Sequence, residues 1–272
     1  MNGLIVVRGG LEMKKILNAV VVLATVVTLA SPAAAQLSGF VSLDGSPTGP
    51  SFGARVGLDY ALSLSDAATA TVGARYDLNL VGNPVAPSSA RVFARVDNLL
   101  SDSLNVGGQV TVTVTGIGAT NSVGLSLRPY VAYRFFANES FAAVATLNLE
   151  TAIVPTIVFT PFVQVDTIYV SGPLTVYFGA EADFTVAPGF SFDALFGYLN
   201  INYALSNALE VRAGAGFGYA GGNFGLVGGV FDSDSKGFYA GLQYALNDSF
   251  KLRLTAGYVS SLYVTLTGFF NP

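Results

Sequence analysis

Between Ala67 and Leu80 the chain alternates without interruption. Ala68, Ala70, Val72, Ala74, Tyr76, Leu78 and Leu80 are apolar, whereas Thr69, Thr71, Gly73, Arg75, Asp77 and Asn79 are polar or glycine. A helix would scatter these two sets around its circumference. A β-strand, with its two-residue period, puts them on opposite faces. At ~3.3 Å per residue, such a strand tilted by ~45° crosses a hydrocarbon layer ~30 Å thick.

The same alternation recurs through much of the chain, and composition says what surrounds it. The sequence is 51% hydrophobic and 11% charged, whereas a soluble domain carries about 25% charge. Lipid is the solvent that suits such a surface. The expected fold is all-β: a transmembrane antiparallel up-and-down β-barrel.

A different kind of segment precedes it. Lys14-Lys15, the apolar run Ile16 to Leu29 and Ala33-Ala34-Ala35 before Gln36 have the order of a secretory signal peptide. Residues 1–35 are read as that signal, with Met13 a better start than Met1, and 36–272 as one barrel domain. The competing reading is a retained anchor helix, for which the apolar run is short. Removing 35 of 272 residues leaves 237, with 10 Lys and Arg against 16 Asp and Glu, a formal charge of −6. That balance gives no hint of nucleic-acid binding.

Tight turns are expected near 65, 102, 138, 171, 206 and 247. If they share one rim, each interval holds two strands and one opposite loop, giving fourteen strands, with twelve as second choice. An internal repeat is visible: Ala54-Arg55, Ala74-Arg75 and Ala94-Arg95 recur every 20 residues. Pro161 is compatible with a strand only at a bulge or local disruption. The apolar set changes phase from Phe196 and Tyr198 to Leu199 and Ile201, which predicts a β-bulge near Tyr198-Leu199.

With signal, short turns, alternating strands and Tyr-Ala-Leu at 60–62, 203–205 and 244–246, the chain resembles the outer-membrane β-barrels of bacteria. The resemblance implies an outer-membrane location, with membrane lipids and the barrel assembly machinery as partners, either alone or as a homo-oligomer. It makes Tyr60, Tyr133, Tyr203 and Tyr244 interface aromatics. Phe270, with Leu262, Val264 and Leu266 on its face, looks like the terminal assembly signal, although Asn271-Pro272 extend beyond it.

Charge decides which face is inside. An arginine turned to lipid near the midplane costs ~2–4 kcal/mol, and Arg55, Arg75, Arg91, Arg95, Arg128 and Arg134 share the polar face; together they would exceed the ~5–15 kcal/mol of ordinary stability. They are therefore assigned to the lumen, with Arg212, Lys251 and Arg253 on later strands. The lumenal acids are Asp59, Asp77, Asp97, Glu150, Asp166, Glu181, Asp183, Asp193 and Glu210. Two readings stay open. Either a basic wall faces an acidic one across water, setting a transverse field, or the charges pair locally, Arg55 with Asp59 and Arg75 with Asp77. Inward glycines such as Gly73, Gly107, Gly179, Gly214 and Gly257 suggest a lumen wide enough for water.

Catalysis finds little support. The chain has no His and no Cys, which removes His-dependent triads, His-ligated zinc and haem, and thiol nucleophiles. Glu181 and Asp183 have the spacing of glycosidase acids or Ca²⁺ ligands, but lumen-lining acids are the simpler reading. No catalytic residue, metal or cofactor is expected. The function expected is a porin-like channel for passive diffusion of ions and small hydrophilic solutes; the alternative is a structural or surface-interaction barrel with an occluded lumen.

Overall fold

The structure, a computed structural model, describes residues 35–46, 52–81, 88–117, 122–227 and 237–271; the expected signal peptide lies outside them. The strands are β1 (Ala35–Gly45), β2 (Phe52–Ser63), β3 (Ala68–Val81), β4 (Ser88–Ser101), β5 (Leu104–Ile117), β6 (Ser122–Ala137), β7 (Phe141–Val154) and β8 (Val158–Ser171). They continue as β9 (Leu174–Thr185), β10 (Ser191–Ala204), β11 (Leu209–Ala220), β12 (Asn223–Leu226), β13 (Phe238–Ala245), β14 (Phe250–Tyr258) and β15 (Leu262–Phe270). From β1 to β11 each strand pairs antiparallel with the next, β11 passes to β13, and β1 pairs with β15, so the sheet closes. The ring has fourteen members. β12 stands outside that count: it pairs with the end of β11 from Phe217 to Ala220, where the shorter β13 no longer reaches.

Six tight turns lie on one rim, and five are built alike. The side chain of Ser65, Ser101, Asn138, Ser206 or Asn247 accepts a hydrogen bond from the amide three residues on, at 2.8 to 3.1 Å. Such local capping is why Ser and Asn favour turns. The sixth, between β8 and β9, uses Gly172 at φ 56°, a conformation open to glycine at little cost.

Burial is inverted relative to a soluble protein. Along β15, Leu262, Val264 and Leu266 are 41–49% exposed, while Thr265 and Thr267, on the opposite face, are 1% exposed. Leu254 and Thr255 on β14 repeat the contrast. Ordinary water would not leave such a girdle of Leu and Val uncovered. Closure of the ring satisfies the backbone amides and carbonyls within the wall, the condition for strands to lie in hydrocarbon.

Two local expectations had different outcomes. Pro161 sits in a break: β8 pairs with β9 only from Phe162 onward, and Phe159 bridges Ala187 one residue out of register. The bulge of β10, however, lies at Phe192/Ala194, and from Ala194 to Ala204 the strand runs in unbroken register with β11. Phe196 and Tyr198 therefore face inward with Asn200 and Asn202. Aromatic residues on the lumenal face had disguised the parity of the strand.

Candidate functional site

The inward face carries the chemistry, and its charges fall into arcs. On β1–β4 every arginine but one is held by an aspartate. Arg55 Nε lies 2.8 Å from Asp44 Oδ2, and its Nη2 3.0 Å from Asp44 Oδ1. Arg75 grips Asp59 with two bonds of 2.7 Å, and Arg95 donates to Asp97 from Nε at 2.8 Å and Nη2 at 2.6 Å. Arg91, opposite Arg75 in the ladder, makes no ion pair among the described residues. Local pairing thus governs this arc, with partners other than Arg55–Asp59 and Arg75–Asp77. Four residues along one strand span ~13 Å, too far for Arg55 to reach Asp59. Arg55 and Arg75 instead reach diagonally to the preceding strand, and Asp77 accepts from Ser89 Oγ at 3.1 Å. Arg128 on β6 approaches Glu150 on β7 at 3.9 Å. Arg134 is at the turn-side rim, bonded to the carbonyl of Asp102.

Acids dominate from β8 to β10. Asp166 accepts from Gln164 at 3.0 Å and from the Tyr198 hydroxyl. Glu181 and Asp183 follow one another on the inner face of β9. Asp193, in the β10 bulge, accepts from Thr185 and Ser191, each at 2.6 Å. No ion pair joins these four acids to a cation among the described residues.

The remaining arc is tightly packed. Arg212 is 2% exposed, with Nε 3.4 Å from Asn202 Oδ1. Asn200 donates to Asn202 at 3.0 Å and accepts from Tyr239 at 2.5 Å. Arg253 donates twice to Gln243 Oε1, at 3.1 and 2.9 Å, and stacks 4.5 Å from the Phe269 ring. Ser42 and Thr267 are buried against each other at 3.0 Å. Glu210, Gln243 and Lys251 border a cavity of about 420 Å³ at the turn-side rim.

Rings cover the inward glycines. A Cβ on Gly73 would lie 2.2 Å from Phe93, on Gly107 2.5 Å from the Tyr130 hydroxyl, on Gly179 2.6 Å from that of Tyr198. Gly214 under Tyr239 and Gly257 under Tyr263 repeat the arrangement at 2.3 and 2.4 Å. These glycines do not widen the lumen, as their size suggested; each leaves room for an aromatic side chain lying against the wall. Phe40 and Phe93 flank the Arg75 guanidinium, both at 5.3 Å. The parity of Phe93 and Tyr130 was readable from sequence, but their fit over a glycine needs the register between strands.

Open space lies where acids and exposed cations meet. A cavity of about 290 Å³ is bordered by Arg95, Gln109, Arg128, Asn148 and Gln164. A second, of about 380 Å³, shares Gln164 and is lined by Ala142, Val144, Asp166, Ile168, Tyr177 and Tyr198.

No protein-family model and no curated protein sequence matches the chain. Among solved structures it is similar to the CymD monoaromatic hydrocarbon channel, with a TM-score of 0.54, 11% identity, and coverage of 91% of this chain and 89% of that one. It is also similar to CdiB from Acinetobacter baumannii, with a TM-score of 0.57 and 6% identity over 89% of this chain, though it spans only 61% of CdiB. The fold is that of a bacterial outer-membrane β-barrel. On this barrel Tyr133, Tyr203 and Tyr244 lie on the outer face close to the tight turns, 46–52% exposed, and Tyr60 stands at the same height on β2. Phe270 packs over Gly39, where a Cβ would come 2.7 Å from its ring, at the seam between β1 and β15.

Proposed function

We propose that this chain is an outer-membrane channel through which ions and small hydrophilic solutes diffuse passively. The observation that carries the reading is the pair of adjoining cavities on the inner face of β4–β10, bordered by side chains that remain well exposed, Arg95 at 43% and Arg128 at 36%. Charged groups kept solvated inside a lipid-facing ring are what a water-filled path requires. The reading includes export by an N-terminal signal, assembly through Phe270, and no catalytic step.

Packing on the other side favours a second reading, an occluded structural barrel. Ser42, Thr255, Thr265 and Thr267 are at most 1% exposed although they face inward. Planar-bilayer recording on the purified barrel separates the two. Stepwise conductance that scales with salt is expected for a channel, and a correctly folded but silent barrel would establish the structural role instead.

A further inference from the structure

The acids of β8–β10 form a descent. Asp193 stands at the loop-side mouth, Asp183 and Glu181 follow on β9, and Asp166 on β8 lies opposite Gly179, one inward position further down. Two residues along a strand is a step of ~7 Å. The arginines of β2–β4 lie near aspartates that neutralise most of them, whereas no cation pairs with the acids of this arc among the described residues. A cation at the mouth therefore meets acidic side chains at successive inward positions and no basic one on these three strands.

At the foot of the descent is the 380 Å³ cavity, within the ~300–1,000 Å³ range of small-molecule sites. Its wall differs from the rest of the lumen. Ala142, Val144 and Ile168 are aliphatic although they face inward, Tyr177 and Tyr198 add rings, and Asp166 is the single charge in the lining. Gln164 and Tyr198 both donate to Asp166 Oδ1 and hold its carboxylate in place. Gly179 makes this possible, because a side chain there would collide with the Tyr198 ring.

We propose that this cavity binds small organic cations, an ammonium group carrying an apolar or aromatic body, and that the barrel favours their passage; the second clause rests on the channel reading above. The carboxylate and ring faces meet the ammonium, and the aliphatic wall takes the body. An anion would face the Asp166 carboxylate, and the lining offers no Lys or Arg to receive it. A neutral analogue would gain the wall but give the carboxylate nothing in return.

The test uses the barrel folded in detergent micelles and ligand-observed saturation-transfer NMR with benzylammonium, benzyl alcohol and benzoate as probes. Benzylammonium should bind about tenfold more tightly than benzyl alcohol, and benzoate should not bind. Asp166→Asn should lower benzylammonium affinity about fivefold to tenfold, with circular dichroism unchanged. Tyr177→Ala, which removes a ring of the lining but neither Gln164 nor Tyr198, the two donors to Asp166, should lower it about threefold. Equal binding of alcohol and ammonium, or affinity indifferent to both substitutions, overturns the proposal. Because binding is read without ion flow, a barrel that binds benzylammonium and passes no current refutes only the channel reading. One that conducts without distinguishing the probes refutes only this site.

Discussion

A single methyl group tests whether the inward glycines seat rings or merely leave space. In Gly73→Ala the new Cβ would sit 2.2 Å from Phe93 Cζ and 2.3 Å from Asp59 Oδ1. Both neighbours serve Arg75, one as a ring 5.3 Å from the guanidinium and the other as its bidentate acceptor. Overpacking of this kind costs ~1–3 kcal/mol, and loosening a partly buried cation–π contact adds ~0.5–2 kcal/mol. A loss of about 1.5–5 kcal/mol is expected. Gly108 supplies the control: it faces outward, and a Cβ there meets nothing closer than Pro129 Cα at 3.7 Å. Gly108→Ala should be neutral or gain ~0.4–1 kcal/mol through the unfolded chain. Urea unfolding in lipid vesicles, followed by tyrosine fluorescence and circular dichroism, measures both. In a Phe93→Ala background the cost of Gly73→Ala should fall to about 1 kcal/mol or less, since only the carboxylate then has to move. If Gly73→Ala lies within about 0.5 kcal/mol of Gly108→Ala, the seating argument is wrong.

The assignment of lipid and lumen is open to equally direct checks. Leu266→Arg should destabilise the barrel in vesicles by ~2–4 kcal/mol, and a cost near zero would mean that Leu266 does not face hydrocarbon. The chain lacks cysteine, so single-cysteine variants report cleanly on β10. Phe196→Cys should react with a water-soluble maleimide through the lumen and Leu195→Cys should not, whereas a bulge at Tyr198-Leu199 predicts the reverse. In bilayer recordings under a salt gradient, Glu181→Gln with Asp183→Asn should move the reversal potential towards zero if the unpaired acids set cation preference; an unmoved potential excludes them.

The ring of fourteen was legible because its signals are local. The two-residue period needs no partner strand to be seen, and the Ser and Asn turns announce themselves within four residues. What escaped depends on register between strands. Arg75 selects Asp59 because β2 and β3 place them diagonally, a relation invisible in the distances along either strand. The bulge was displaced for a related reason: Phe196 and Tyr198 are apolar by type but inward by position, because Gly218 and Gly179 across the ladder accept their rings. In a lumen, an aromatic residue does not reveal which face it occupies.

The seam between β1 and β15 joins the first strand of the described chain to the last. Thr265 bonds Asp44 at 2.7 Å and Thr267 bonds Ser42, contacts that join residues 221 and 225 positions apart. Closing so long a loop is entropically late and slow. Until it happens the nascent sheet carries two bare edges, each a template for pairing with another chain. Pairing of β15 with β1 is what removes both edges at once, so the closed ring offers no strand to a second chain along that seam.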